Sequence, residues 1–95
     1  MTAKEIVDAY ELRLSIYADA GWICEHCGKP LPAGQPQLGH RIPQNKMNLA
    51  RYGKSVIHHR DNLAPVCCLK CNAAVSIGGR PLEIEVLAAK IKAQL

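Results

Sequence analysis

Cys24-Glu25-His26-Cys27 and Cys68-Leu69-Lys70-Cys71 are the two stretches that decide the fold of this chain. In each stretch two residues separate a pair of cysteines, so both sulfurs can bind one metal ion, and two such pairs complete a tetrahedral site. Four thiolates leave no position for water, which predicts a structural site with zinc as the expected ion. The same number of ligands also suits an iron–sulfur cluster. The predicted ligands are Cys24, Cys27, Cys68 and Cys71.

Cys67 is a fifth cysteine beside the second pair. The two-residue spacing selects Cys68 as the ligand and leaves Cys67 as a buried filler. A second arrangement stays open, in which Cys67 and Cys71 bind the ion across three intervening residues.

The composition explains why a metal would be needed. The chain has 95 residues, no phenylalanine and only 4% aromatic residues, so the side chains that usually dominate a core are scarce. With 48% hydrophobic and 21% charged residues it does not have the composition of a disordered protein. We expect a single domain over residues 1–95, stapled by its metal and too small for a large cofactor-binding enzyme.

The location of the protein is also predicted from the sequence. No apolar run is long enough to span a membrane, and residues 1–20 contain no apolar signal core. A cytoplasmic location with no membrane partner is therefore expected. In a reducing compartment, cysteines favour metal ligation over disulfides.

Both ends of the chain are predicted to be helical. Thr2 and Glu5 have the spacing of a capping box at the start of a helix over residues 1–20, and Pro81 suits the first turn of a helix over residues 81–95. An apolar stripe along each helix is expected to face the core. The stripes are Ile6, Tyr10, Leu14 and Tyr17, and Ile84, Leu87, Ile91 and Leu95.

Residues 22–77 form the predicted central part. One short strand is expected over residues 37–42 and a second near Val56. A short helix is expected from about Leu69 to Ile77, ended by Gly78 and Gly79.

Positive charge is concentrated in the middle of the chain. Residues 21–80 contain eight lysines and arginines against two acidic residues, a net charge of +6, whereas the whole chain carries +4. Such a field attracts polyanions such as DNA, although a solvated surface is an equally good interpretation. The candidate phosphate contacts are Arg41, Lys46, Arg51, Lys54 and Arg60.

Between and after the cysteine pairs lie Gly39-His40-Arg41-Ile42-Pro43, Asp61-Asn62-Leu63 and Asn72. Together with the cysteines, these motifs resemble the HNH (ββα-metal) endonucleases over roughly residues 22–77. They are most similar to phage recombination nucleases related to endonuclease VII and to the NinG (Rap) proteins. The resemblance implies a small α+β fold with a zinc-stapled, treble-clef-like ββα-metal core between two terminal helices, and a phage or bacterial origin.

The resemblance also implies a role for each matching residue. His40 would be the general base that takes a proton from water, and Asn62 would hold the loop that orients it. Asn72 would help to bind a catalytic Mg²⁺ or Mn²⁺ ion, while the zinc would be purely structural. The implied activity is metal-dependent hydrolysis of DNA, including branched or nicked DNA.

One departure favours an alternative. Gly39 stands where many of these nucleases have an Asp or His metal ligand, and Gln37 replaces an acid found in NinG-like sequences. His58, His59 or Asp61 could supply a replacement ligand, but residues 58–60 are better interpreted as a basic turn toward the DNA backbone. The alternative function is a catalytically impaired HNH-fold module that binds DNA or a protein partner.

Overall fold

Two short antiparallel strands lie among five α-helices and one short 3-10 helix (Arg60–Asn62) in the computed structural model, which describes residues 2–34 and 36–95. The protein is therefore a small α+β structure, as predicted. The elements in chain order are α1 (Ala3–Asp19), β1 (Gln37–His40), α2 (Lys46–Tyr52), α3 (Lys54–Ile57), β2 (Leu63–Val66), α4 (Leu69–Ala74) and α5 (Pro81–Lys92). None of the helices in the described residues is long and apolar enough to cross a membrane.

The sheet pairs Gln37 with Val66 at one end and His40 with Leu63 at the other. The prediction of a strand that begins at Gln37 is confirmed for its first four residues. The prediction of a second strand near Val56 is wrong, because Val56 lies in α3 and is buried. A short run of β-branched residues suits a strand and a buried helical turn equally well, so the pattern alone did not decide between them.

Helix α1 begins as its capping box predicts. The Thr2 hydroxyl accepts a hydrogen bond from the Glu5 backbone N–H at 3.2 Å and donates one to the Glu5 carboxylate at 3.1 Å. The predicted apolar stripe is wrong for three of its four residues: Tyr17 is buried, but Ile6, Tyr10 and Leu14 are exposed. Only the C-terminal part of α1 reaches the core.

The core consists of two apolar clusters. The first surrounds the cysteines and the sheet; its buried members are Tyr17, Cys24, Leu31, Ala64, Val66 and Cys71. The second lies under α5; its buried members are Ile42, Val56, Ile57, Ile84, Ala88 and Ile91. The predicted stripe of the C-terminal helix is thus confirmed at Ile84 and Ile91, whereas Leu95 lies beyond the helix and is exposed. Helix α4 begins at Leu69 as predicted but ends at Ala74.

Candidate functional site

Four cysteine thiols lie close together: two from the loop after α1, one from the residue that follows β2, and one from α4. The sulfurs of Cys24, Cys27, Cys67 and Cys71 all lie within 4.8 Å of one another. The Cys27 and Cys67 sulfurs are 3.5 Å apart, and those of Cys67 and Cys71 are 3.8 Å apart. Sulfurs bound to one tetrahedral zinc ion at about 2.3 Å are separated by roughly 3.8 Å. The four thiols can therefore hold a metal ion such as zinc.

The cluster contains Cys67 where the sequence predicted Cys68. Cys67 directly follows β2, and Cys68 is the exposed residue at the N-terminus of α4. Cys68 has an extended backbone, with φ of −159° and ψ of 172°, so neighbouring side chains at positions 67 and 68 point in different directions. The structure thus has the Cys67–Cys71 arrangement that the spacing argument left open, and Cys68 lies outside the group of four.

The thiols of the cluster differ in their affinity for protons. Burial acts to raise the pKa of Cys24, but hydrogen bonds from backbone N–H groups, including that of Cys27, lower this pKa to about 6. The hydrogen bond between Cys67 and Cys27, together with burial, raises the pKa of Cys67 to about 12. Burial and the neighbouring thiols also raise the pKa of Cys71. Zinc must displace the remaining thiol protons, so its affinity decreases as the pH falls.

His40 ends β1 and faces a second histidine. Its Nε2 atom is 3.4 Å from Nδ1 of His58, and the two rings meet edge to face with centroids 5.5 Å apart. Burial lowers the pKa of His40, and the nearby His58 lowers it further. The two histidines line a cavity of about 380 Å³ together with Arg13 of α1. The His40 imidazole is therefore neutral at neutral pH and can accept a proton.

Asn62 fixes the loop that carries His58 against the strand that carries His40. Its side chain is fully buried; Oδ1 accepts a hydrogen bond from the Ile42 backbone N–H at 2.8 Å. Its Nδ2 group donates to the carbonyl oxygens of Ile42, at 3.2 Å, and Ile57, at 2.8 Å. One amide thus links the residue two positions after His40 to the residue just before His58. The resemblance implied that Asn62 holds this loop; its role in orienting a general base stays a prediction.

Asn72 lies on the other face of β1 from His40. Its amide donates a hydrogen bond to the Gln37 side chain at 3.1 Å, and a Cβ atom built at Gly39 would be 3.2 Å from its Oδ1 atom. Residues alternate between the two faces of a strand. Gln37 and Gly39 accordingly face α4, whereas Leu38 and His40 line the cavity beside α1.

These residues do not fit the hard divalent ion that the resemblance implies. Mg²⁺ is usually held by carboxylates, and the side chains that meet at Asn72 and Gln37 are neutral amides. Val75 fills the remaining space, since its Cγ2 atom would be 2.6 Å from a Cβ atom at Gly39. Within residues 2–34 and 36–95, the thiol cluster is the only group of three or more His, Cys, Asp or Glu side chains close enough to share an ion.

The loop after α3 brings only one of its three proposed replacement ligands to His40. The Asp61 carboxylate instead accepts a hydrogen bond from Gln94 at 2.7 Å, and Nδ1 of His59 accepts one from the Asp61 backbone N–H at 3.1 Å. Only His58 of the three therefore lies beside His40, while His59 and Asp61 make other hydrogen bonds.

No family model, curated protein or solved structure matches this chain. The relationship to the HNH endonucleases therefore stays a prediction from the residues quoted above.

Three of the five predicted phosphate contacts already have an acidic partner. The ion pairs are Arg41–Glu25 at 2.5 Å, Arg51–Glu85 at 2.7 Å and Arg60–Asp19 at 2.5 Å. The Glu25 carboxylate accepts hydrogen bonds from both terminal nitrogens of Arg41, and these hydrogen bonds raise the pKa of Arg41. Lys46 and Lys54 form no ion pair with any described residue and are the better candidates for contacts with a polyanion.

Arg13 is a candidate site residue that sequence reasoning missed. It lines the cavity that contains His40 and His58, although it lies in the N-terminal segment, outside the motifs. Residues 1–20 have a net negative charge, so the charge pattern did not indicate a phosphate contact in this helix. The helical spacing of Arg13 from Tyr10 and Tyr17 was the signal in the sequence.

Proposed function

We propose that the protein is an endonuclease that hydrolyses DNA phosphodiester bonds with His40 as the general base. The observation that carries the proposal is the His40–His58 pair, with its ring nitrogens 3.4 Å apart in a cavity that Arg13 and Glu5 of α1 also line. The low pKa of His40, the loop fixed by Asn62 and the zinc-compatible thiols support it.

The proposed reaction begins when the neutral His40 imidazole takes a proton from a water molecule. The resulting hydroxide attacks the phosphorus atom, a new P–O bond forms, and the bond to the leaving sugar oxygen breaks; solvent returns a proton to that oxygen. The Arg13 guanidinium offsets negative charge on the phosphate oxygens. No step is assigned to a divalent ion, because the residues around Asn72 do not fit one.

A second candidate function is a module that binds DNA or a protein partner without cleaving it. The observation that favours it is the contact between α4 and Gly39. Val75 and Asn72 occupy the space in which a metal-binding side chain would have to lie. The basic middle segment would still bind the DNA backbone in that case.

Incubation of the zinc-loaded protein with supercoiled plasmid and with branched DNA tests the proposal, in Mg²⁺, Mn²⁺ or EDTA. We expect the wild-type protein and His26→Ala to nick the DNA, and His40→Ala to lose at least a hundredfold in rate. His26 is a matched control because its side chain is exposed and belongs to the zinc-binding turn.

Two outcomes contradict the nuclease proposal. One is DNA that stays intact with the wild-type protein under every metal condition; the other is a His40→Ala variant that nicks as fast as the wild type. If the DNA stays intact but the wild-type protein still retards it in a gel-shift assay, the second function is supported instead.

A further inference from the structure

Three of the four aromatic residues of this chain line one cavity. The chain has a single tryptophan, three tyrosines and no phenylalanine. Tyr10, Tyr17 and Trp22 all face a cavity of about 460 Å³, within the range of small-ligand sites. The other lining residues are Arg13, Leu14, Ala33, Gly34, Pro36 and Gln37. None of the described residues that line this cavity has an acidic side chain.

Hydrogen bonds hold one aromatic side chain of the cavity in place, and the other two aromatic side chains are exposed. Tyr17 is buried, and its hydroxyl donates to the carbonyl oxygen of Pro36 and accepts from Arg13, both at 3.2 Å. The Trp22 ring lies 5.5 Å from the Tyr17 ring and stays 42% exposed, and the Tyr10 side chain is 62% exposed. Two aromatic rings are thus available to a ligand.

The backbone holds Trp22 in this exposed position. Its φ of 58° lies in the left-handed region, which bulky residues rarely adopt. Two backbone hydrogen bonds keep it there. The Trp22 N–H donates to the backbone carbonyl oxygen of Tyr17 at 2.9 Å, and the Trp22 carbonyl oxygen accepts from the Leu31 N–H at 2.8 Å. Residues that their surroundings hold in such a conformation are concentrated at active sites and ligand-binding sites.

Arg13 connects this cavity to the histidine pair. It lines the aromatic cavity and also the cavity that contains His40 and His58. A phosphate bound at Arg13 would therefore lie between an imidazole that can take a proton and aromatic rings that can stack on a base. Aromatic stacking with a positive side chain for the phosphate is the usual way in which proteins bind single-stranded nucleic acid.

We propose that the aromatic cavity binds an unpaired DNA base whose phosphate contacts Arg13. The bases of an intact duplex are stacked and cannot enter such a cavity without being extruded, so the substrate class is DNA with an unpaired or flexible nucleotide. The position of the scissile phosphate beside His40 rests on the proposed function, whereas binding of the base does not.

Trp22 supplies the assay, because it is the only tryptophan. The zinc-loaded full chain is titrated with a single-stranded oligonucleotide, with a duplex that has one bulged nucleotide, and with the same duplex fully paired. We expect the first two to quench Trp22 fluorescence and to bind at least tenfold more tightly than the paired duplex. Deoxyadenosine monophosphate is a separate arm: quenching by it alone, without tighter binding of the oligonucleotides, overturns the proposal of a DNA substrate.

Tyr10→Ala tests the stacking and retains the fluorophore. Tyr10 is exposed, and its loss should weaken binding of the bulged duplex roughly tenfold. Ile6→Ala is the matched control, since Ile6 is 55% exposed on the same helix and lies outside the cavity. Arg13→Gln should weaken binding as well and reduce its salt dependence by about one phosphate contact.

Equal affinity for bulged and paired duplex, or a Tyr10→Ala variant that binds like Ile6→Ala, overturns the proposal. His40→Gln separates it from the proposed function, because this variant should bind the bulged duplex as the wild type does whether or not DNA is cleaved. Normal binding together with a wild-type protein that never cuts DNA would support the cavity and reject the nuclease.

Discussion

Substitution of Asn62 by alanine tests the structural link between the two histidines. The side chain is completely buried and satisfies three backbone groups: the N–H and C=O of Ile42 and the C=O of Ile57. A buried polar group without a partner costs about 1–3 kcal/mol, and the carbonyl oxygens tolerate the loss better than the N–H. We therefore expect Asn62→Ala to lower the free energy of unfolding by about 3–5 kcal/mol.

Urea denaturation of the zinc-loaded protein, followed by circular dichroism, measures this loss. A chain of this length has a total stability of about 5–15 kcal/mol, so the variant should keep only part of it. With a urea dependence of about 1.5 kcal/mol per molar, the midpoint should decrease by about 2–3 M. The zinc concentration must be equal in all samples, because a bound metal adds to the apparent stability.

Asn72→Ala is the control for this experiment. Asn72 is only partly buried and makes a single side-chain hydrogen bond, to Gln37, so its loss should cost less than about 1 kcal/mol. If Asn62→Ala were no more destabilising than Asn72→Ala, the hydrogen bonds of Asn62 would not hold the loop, and the explanation for the position of His58 would be refuted.

Three further predictions follow from the site. Gly39→Ala should destabilise the protein by about 1–3 kcal/mol in the same urea assay, because its Cβ atom would be 2.6 Å from Cγ2 of Val75. Adding Val75→Ala should recover part of this loss. An unchanged stability of Gly39→Ala would mean that α4 moves away freely. Cys67→Ser should lose zinc on dialysis against a weak chelator while Cys68→Ser keeps one zinc per chain, and the reverse result in metal analysis would restore Cys68 as the ligand. The fold lowers the pKa of His40 below its ordinary value of 6.5, so the unfolded protein binds more protons at His40 than the folded protein does as the pH falls below 6.5. The free energy of unfolding should therefore decrease over that pH range. A proton NMR titration should give a His40 pKa below 6.5, and a higher value would contradict the effect of burial.

The sequence predicted the features that depend on local spacing. The capping box at Thr2 places the start of α1, and the pattern around Ile84 and Ile91 identifies the buried face of α5. The approach of Cys24 and Cys27 to Cys71 was also predictable, since closely spaced cysteines can share one ion, although the spacing pointed to Cys68 as the fourth ligand and the cluster contains Cys67. Each of these signals is complete within a few neighbouring residues.

What the sequence did not predict depends on contacts between distant residues. The choice between Cys67 and Cys68 is made by the direction of the chain as it leaves β2. Tyr10 has helical spacing with Tyr17, yet only Tyr17 meets the sheet region, because α1 extends beyond the core. The partner of His40 could not be identified either, since three candidates follow one another in the loop after α3 and the fold turns only His58 toward it.

The close packing at Gly39 also restricts which sequences this fold can reach by single mutations. An acid at position 39 would meet Val75 at once, so a chain with Val75 would have to replace it with a smaller residue first. The two positions are therefore expected to vary together among homologues: glycine at 39 with a branched residue at 75, or an acid at 39 with alanine or glycine at 75. Restoring a metal-binding carboxylate is thus a path of two ordered substitutions, in which the first one opens a cavity and the second one fills it.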